Sequence, residues 1–155
     1  GKLQLYSLNS NRPLDVDTAA QLIQNSTQNS LQLAGAIRMG DTGKALSLVA
    51  DLINSSEPAL RIVATLISQF RTWLWVKIMM ETGERSSQAI ANAAEVRNHN
   101  RIKYLQQEIQ FLSAKQLISC LPILLELEVN LKQGAPTTLM LQTKVIELCQ
   151  ICQKS

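Results

Sequence analysis

Aromatic side chains are scarce in this sequence: two Trp, two Tyr and two Phe make up 4% of 155 residues. With Leu, Ala, Ile and Gln abundant, that shortage argues against a sheet-rich fold and for helices. No segment alternates apolar and polar residues with period two, so no strand is expected. No run of about 18 apolar residues is free of charge, which excludes a membrane-spanning helix from the expectations. The single histidine, His99, has no neighbouring Asp or Cys with which to build a nucleophilic relay. Glycine is sparse and never forms a phosphate cradle: Gly40-Asp-Thr-Gly-Lys44 lacks the Walker spacing and the strand-to-helix context. The net charge of +3 is too small to argue for nucleic acid by itself.

Cysteine is also rare. Cys120, Cys149 and Cys152 are an odd number without a secretory signal, which fits a reducing cytoplasm better than a disulfide framework. Cys149 and Cys152 form a Cys-x-x-Cys pair within a predicted C-terminal helix, but a structural zinc wants four ligands and only His99 remains. The expectation is small helix residues, at least one of them packed inward, with no metal and no cofactor. Gly1 reads as a tag remnant and Lys2–Tyr6 as the tail of a helix begun upstream, so a fragment of a longer chain is expected.

What the sequence does contain is enough apolar material for one core, 46% hydrophobic against 17% charged, in a chain too short for two large domains. The densest information lies between residues 40 and 83. Ala45, Leu46, Leu48, Val49, Leu52 and Ile53 recur at helical spacing behind a cap at Asp41 or Thr42. A second helix follows Ser55-Ser-Glu-Pro58, with Pro58 in its first turn and Ser55 or Ser56 as its cap. Leu60, Val63, Leu66, Ile67, Phe70, Trp73 and Leu74 make one stripe, while Ile62, Trp75, Val76, Ile78 and Met79 fill others. A helix apolar on so much of its circumference has neighbours on most sides and is the predicted hub of a bundle.

Elsewhere, Leu8–Pro13 reads as a turn-rich connector and Asp15 as the cap of a short helix through Ile23. The wholly polar Gln24–Ser30 reads as a domain boundary or, as readily, a loop within one fold, followed by a short helix from about Leu31 ended by Gly40. Gly83 ends the hub helix. Ser86 or Ser87 caps Gln88–Ala94, a turn leads to a helix near Asn98–Phe111, and Ser113-Ala-Lys-Gln116 is a capping-box pattern. That last helix carries Leu117, Ile118, Leu121, Leu124, Leu125 and Leu131 to Gly134, with a kink expected at Pro122 and the helix continuing beyond it. Pro136 and Thr137 open the final helix.

Two surface features invite functional readings. From Arg85 to Lys103, four basic residues stand against Glu95, an excess equal to that of the whole chain. Within it, Ser87–Lys103 could form a helix-turn-helix with Asn98, Asn100, Arg101 and Lys103 on a recognition helix, and Arg97, Arg101 and Lys103 as its DNA contacts, although Glu95 would approach phosphates. Trp73 and Trp75 lie about 200° apart on a helix, so if one is exposed it marks a partner surface. Glu126 and Glu128 fall on different faces and do not converge as an acid–base pair. No enzymatic constellation is legible.

The order and spacing of several short stretches carry a resemblance. Gly40-Asp with Lys44-Ala-Leu, then Glu57-Pro with Gln69-Phe-Arg71, then Glu126-Leu-Glu-Val-Asn-Leu-Lys-Gln-Gly134 resemble the C-terminal part of the delta subunit of the bacterial DNA polymerase III clamp loader. Glu128 stands four before Lys132 where family members often have Asp, and Pro122 is a further departure. The resemblance implies an all-α helical bundle of the clamp-loader collar type at residues 28–155, preceded at 1–27 by the end of an AAA+ lid domain. It implies a cytoplasmic, non-catalytic assembly role in DNA replication: holding the loader pentamer together for loading the sliding clamp, within a complex that has DNA polymerase activity. Its partners would be the other clamp-loader subunits, with the sliding clamp gripped by an N-terminal domain absent from this chain and DNA reached only indirectly. A collar must present an apolar patch, expected on the Trp75, Ile78, Met79 side or along the last helix at Leu141, Leu148 and Ile151. The alternative is an independent DNA-binding regulator using residues 87–103.

Overall fold

A computed structural model describes residues 16–153; the readings made above for residues 1–15, including the connector and the Asp15 cap, lie outside the described residues. Seven helices follow in order: α1 (Val16–Arg38), α2 (Thr42–Asn54), α3 (Ala59–Glu81), α4 (Ser87–Ala94), α5 (Ile102–Glu108), α6 (Ala114–Lys132) and α7 (Thr137–Gln153). A short 3-10 turn, His99–Arg101, leads into α5. No strand occurs among the described residues, and the fold is all-α as expected.

The caps follow from local chemistry. Asp41 accepts from the Lys44 backbone N–H at the head of α2, and Ser86 accepts from Ala89 at the head of α4. The capping box at Ser113 and Gln116 is complete, with both reciprocal bonds made. Gly40, Gly83 and Gly134 all take positive φ after a helix. At Gly40 the requirement is double, because a Cβ would also come within 2.7 Å of Gln153 Cγ.

Three local expectations give way. Gln24–Ser30 is helix, the middle of α1, because polar residues without Gly or Pro give a solvated helix no reason to stop. Ser55 and Ser56 do not cap α3. Ser55 closes α2, its N–H and hydroxyl both returning to the Asp51 carbonyl, and Ser56 turns the chain at φ +60. Pro58 itself takes the N-cap position, with no side-chain bond. Leu60 of the predicted stripe is exposed. At Pro122 α6 continues, as expected. Pro122 and Ile118 both lie on the outer face, so the carbonyl deprived of its amide partner stands on the hydrated side of the helix.

The core is one cluster reaching from Leu33 in α1 to Cys149 in α7. The hub α3 packs against α1, α4, α5 and α6, while α7 packs against α6, α2 and α1. On α3, Ile62, Val63, Leu66, Phe70, Trp73 and Val76 are buried, a wider arc than one stripe. Phe70 and Trp73 meet edge to face, with ring centroids 5.0 Å apart. The indole N–H of Trp73 donates to Glu108 Oε1 at 2.9 Å, and the Arg38 guanidinium lies 5.7 Å from the Trp73 ring centroid. Arg38 Nη1 also donates to the Glu108 carbonyl at 2.7 Å, and Lys77 Nζ to the Ile109 carbonyl at 3.3 Å. Two cations from α1 and α3 thereby satisfy the C-terminal carbonyls of α5, where positive charge is favoured.

The last two helices are pinned by Lys144, which is buried although charged. Its Nζ donates to Glu126 Oε1 at 2.6 Å and stands 3.7 Å from Glu147. The hydrogen bond to Glu126 raises the Lys144 pKa against the opposing effect of burial, and Glu147 adds to the rise.

Truncating the fully buried Phe70 to Ala removes the ring that Trp73 packs on and is expected to cost about 3–5 kcal/mol, read from urea midpoints; a loss below about 1 kcal/mol would mean the core repacks freely. A second expectation concerns pH. Because the folded-state pKa of Lys144 is raised, its contribution is complete below the unfolded-state value of about 10.4 and is lost as pH rises through the folded-state value. The stability of the native chain relative to Lys144→Met is therefore flat from neutral pH to about 10 and declines above it, as paired urea titrations would record.

Candidate subunit interface

Helix α6 is apolar on two opposite faces. Its inner face, Leu117, Cys120, Leu124 and Leu127, is in the core. Its outer face carries Ile118, Pro122, Leu125 and Val129 at i, i+4, i+7 and i+11, the spacing of a seam that another helix covers. Ile118 is 51% exposed, and Leu125 and Val129 are 49% exposed. Among the described residues, nothing covers their outward halves.

Beside this stripe stands Trp75. The two tryptophans do point apart: Trp73 is 2% exposed and Trp75 44%. Trp75 and Leu125 line a groove of about 510 Å³ between α3 and α6, closed at one end by the last residues of α4. Its α3 wall is made of small side chains, Ala64 and Ser68, together with Ile67, Arg71 and Thr72, while Glu95 and Glu128 lie at its edge. Within this lining, the half-exposed Trp75 is the residue of the type that anchors interfaces.

The residues singled out in the sequence are distributed unevenly around this surface. Ile78 is half-buried, and Met79 is half-buried and packs against the core. Leu141 and Leu148 are fully buried and cannot present a surface, because α7 turns them into its contacts with α6, α2 and α1. Ile151 is half-buried. Its carbonyl accepts from Gln116 Nε2 at 3.0 Å, and it lines a second shallow groove beside the exposed Phe111. The α6 stripe escaped the sequence reading, although the signal was present: Leu117 to Leu131 is apolar in more directions than one buried face requires.

Arg97, Arg101 and Lys103 are exposed, but they come from three different places: the loop after α4, the 3-10 turn and the first turn of α5. The helix that follows has seven residues, of which Ile102 and Leu105 are buried. Asn98 uses its side-chain oxygen to accept from the Asn100 N–H. The turn after α4 is made by Glu95 in the left-handed conformation, φ +59 and ψ +38, where glycine is usual. Among the described residues no cluster of three His, Cys, Asp or Glu could hold a metal ion, and no helix is long and apolar enough to cross a membrane.

This arrangement of helices is that of a known class. The structure of the Bacillus subtilis DNA clamp loader delta protein superposes with a TM-score of 0.70 at 22% identity, over 92% of this chain and 42% of that one. The likeness establishes the class of fold, an all-α bundle of the clamp-loader delta type, and the chain spans about two fifths of that protein's length. A family model described as the DNA polymerase III delta subunit, C-terminal domain, matches residues 27–148. The chain belongs to this family. No curated protein matches it.

Glu95 offers a local test of the groove's end wall. Replacing it with Gly relieves the left-handed strain of a side-chain-bearing residue and is expected to add about 1 kcal/mol of stability; an unchanged or lower urea midpoint would show that the Glu95 side chain holds the turn by contacts of its own.

Proposed function

We propose that this chain is the collar of a clamp-loader delta subunit, an assembly module that holds the loader pentamer together while the sliding clamp is placed on DNA for replication in the cytoplasm. The observation that carries the reading is the half-exposed apolar seam Ile118–Pro122–Leu125–Val129 on α6, with the exposed Trp75 beside Leu125 in a groove of mixed lining. Surfaces of this kind are seldom left open in a monomer unless a partner uses them. Family membership supplies the partner class, the other loader subunits. Gripping of the sliding clamp then belongs to another part of the subunit, contact with DNA is indirect, and the collar itself performs no chemistry.

The division into a lid remnant at residues 1–27 and a collar at 28–155 is part of the same reading. It is supported by the family match beginning at residue 27 and by the burial pattern of α1, whose first buried residue among those described is Ser30. Since α1 is unbroken across residue 27, the two domains would be joined by a shared helix, which transmits orientation where a loop would not. The proposed interface residues are Trp75 and the α6 seam, with Ile78, Met79 and Ile151 at its margins.

The test is assembly of the loader. Trp75→Ala and Leu125→Asp, made together in the full-length delta subunit, should leave the far-ultraviolet spectrum and thermal melting unchanged, because both side chains are about half exposed. Co-elution with the other loader subunits on a sizing column should weaken by at least tenfold in affinity, the effect of removing one interface anchor worth about 2 kcal/mol or more. Unimpaired co-elution would remove this surface from the interface, and assembly by a subunit lacking residues 28–155 would remove the collar assignment itself.

A further inference from the structure

The three cysteines, which the assembly role does not use, are not equivalent. Cys120 on α6 and Cys152 on α7 face each other with Sγ atoms 4.0 Å apart. Cys120 is fully buried and Cys152 partly exposed, so solvent reaches the pair from one side only. Next to them, Gln116 Nε2 donates to the Ile151 carbonyl at 3.0 Å, holding the end of α7 against the first turn of α6. Cys149 is one turn from Cys152 on the same helix, where Cβ atoms are about 5–6 Å apart, farther than the roughly 3.5–4.5 Å a disulfide spans.

We propose that Cys152 and Cys120 form a peroxide-responsive thiol pair, Cys152 being the residue oxidised first and Cys120 the residue that resolves it into a reversible α6–α7 disulfide. The chemistry of each thiol suits its part. Hydrogen bonding from Cys120 lowers the pKa of Cys152, aided by the nearby Arg38 charge, against the cost of burial. Cys120 is shifted the other way, first by the same hydrogen bond and then by burial, so it carries the proton of the pair. Burial pushes Cys149 up to about 11, which keeps it a thiol and out of the reaction.

The oxidant is a hydroperoxide. The Cys152 thiolate attacks one peroxide oxygen; an S–O bond forms, the O–O bond breaks, and the departing hydroxide takes up a proton to become water. Cys152 is now a sulfenic acid. The Cys120 sulfur gives up its proton and attacks the Cys152 sulfur; the S–S bond forms, the S–O bond breaks, and the leaving hydroxide departs with that proton as a second water. For hydrogen peroxide, two thiols lose two electrons in total and the peroxide becomes two waters. An external dithiol returns the pair to the reduced state. The closing movement is the loss of the gap between two sulfurs already in contact, at a corner the Gln116 bond has already docked.

The 155-residue chain is exposed to graded hydrogen peroxide, quenched by alkylation and mapped by mass spectrometry without reduction. The expected result is an intramolecular Cys120–Cys152 peptide that dithiothreitol removes, with Cys149 fully alkylated. In Cys120→Ser, and in Cys120→Ala as a second variant, Cys152 should be trapped by dimedone as a sulfenic acid and proceed to the sulfinic form, whereas Cys152→Ser should give no crosslink at all. Over-oxidation of Cys152 in the native chain without a crosslink, pairing through Cys149, or crosslinks only between molecules would overturn the proposal. The native chain alone decides it if a variant fails to fold.

Discussion

Trp73 lies where α1, α3 and α5 meet, and its two chemical halves impose opposite demands. The ring must be out of water, which Phe70 and the core provide, while the indole N–H must keep a hydrogen-bond partner, which Glu108 provides. Bringing Glu108 to Trp73 places the end of α5 against the hub, and that end has carbonyls of its own to satisfy. Arg38 and Lys77 do so from two other directions, and Arg38 also covers the ring face. One buried aromatic side chain thus sets the mutual position of three helices. Helix α4 and the basic loop after it are carried along, because α5 is short and fixed at this end.

The other side of the bundle is fixed by the same device, amide and ammonium donors reaching helix termini or partners on neighbouring helices. Gln116 binds the Ile151 carbonyl while completing its own capping box, and Gln153 donates to the Gly40 carbonyl and the Thr42 hydroxyl. The close approach of Gln153 is what forbids a side chain at Gly40. Lys144 joins α7 to α6 in mid-length through Glu126. Helices held at their ends and along their inner faces have no need of their outer faces. On the outer face of α6, Ile118, Leu125 and Val129 stay about half exposed, with Trp75 of α3 also exposed, which connects the packing of the core to the proposed role in assembly.

The hub and its partners leave the domain with two unlike surfaces. On one, Trp75 and the α6 seam offer apolar area of the sort that a helix from another subunit buries. The basic side chains around Arg101, by contrast, sit on a short, irregular segment anchored in the core by Ile102 and Leu105. A module built this way is suited to being covered, and the Cys120–Cys152 pair lies between α6 and α7 near the end of α7.

Helix periodicity, capping residues and terminal glycines determined nearly all of the local structure, because these signals depend on residues within one or two turns: Asp41, Ser86, the Ser113–Gln116 box and Gly83 act as their sequence says. The hub role of α3 was legible for the same reason, since apolar residues on most of its circumference require neighbours whatever their identity. The polar stretch 24–30 misled because composition alone does not end a helix. Which apolar face stays uncovered was decided only by tertiary packing. Leu141 and Ile118 are equally apolar in the sequence, yet one is buried by α7's neighbours and the other faces outward because α6 has core on one side only. The meeting of Cys120 with Cys152, in preference to the adjacent Cys-x-x-Cys, was likewise settled by how α6 and α7 pack, a contact between residues far apart in sequence that no local pattern encodes.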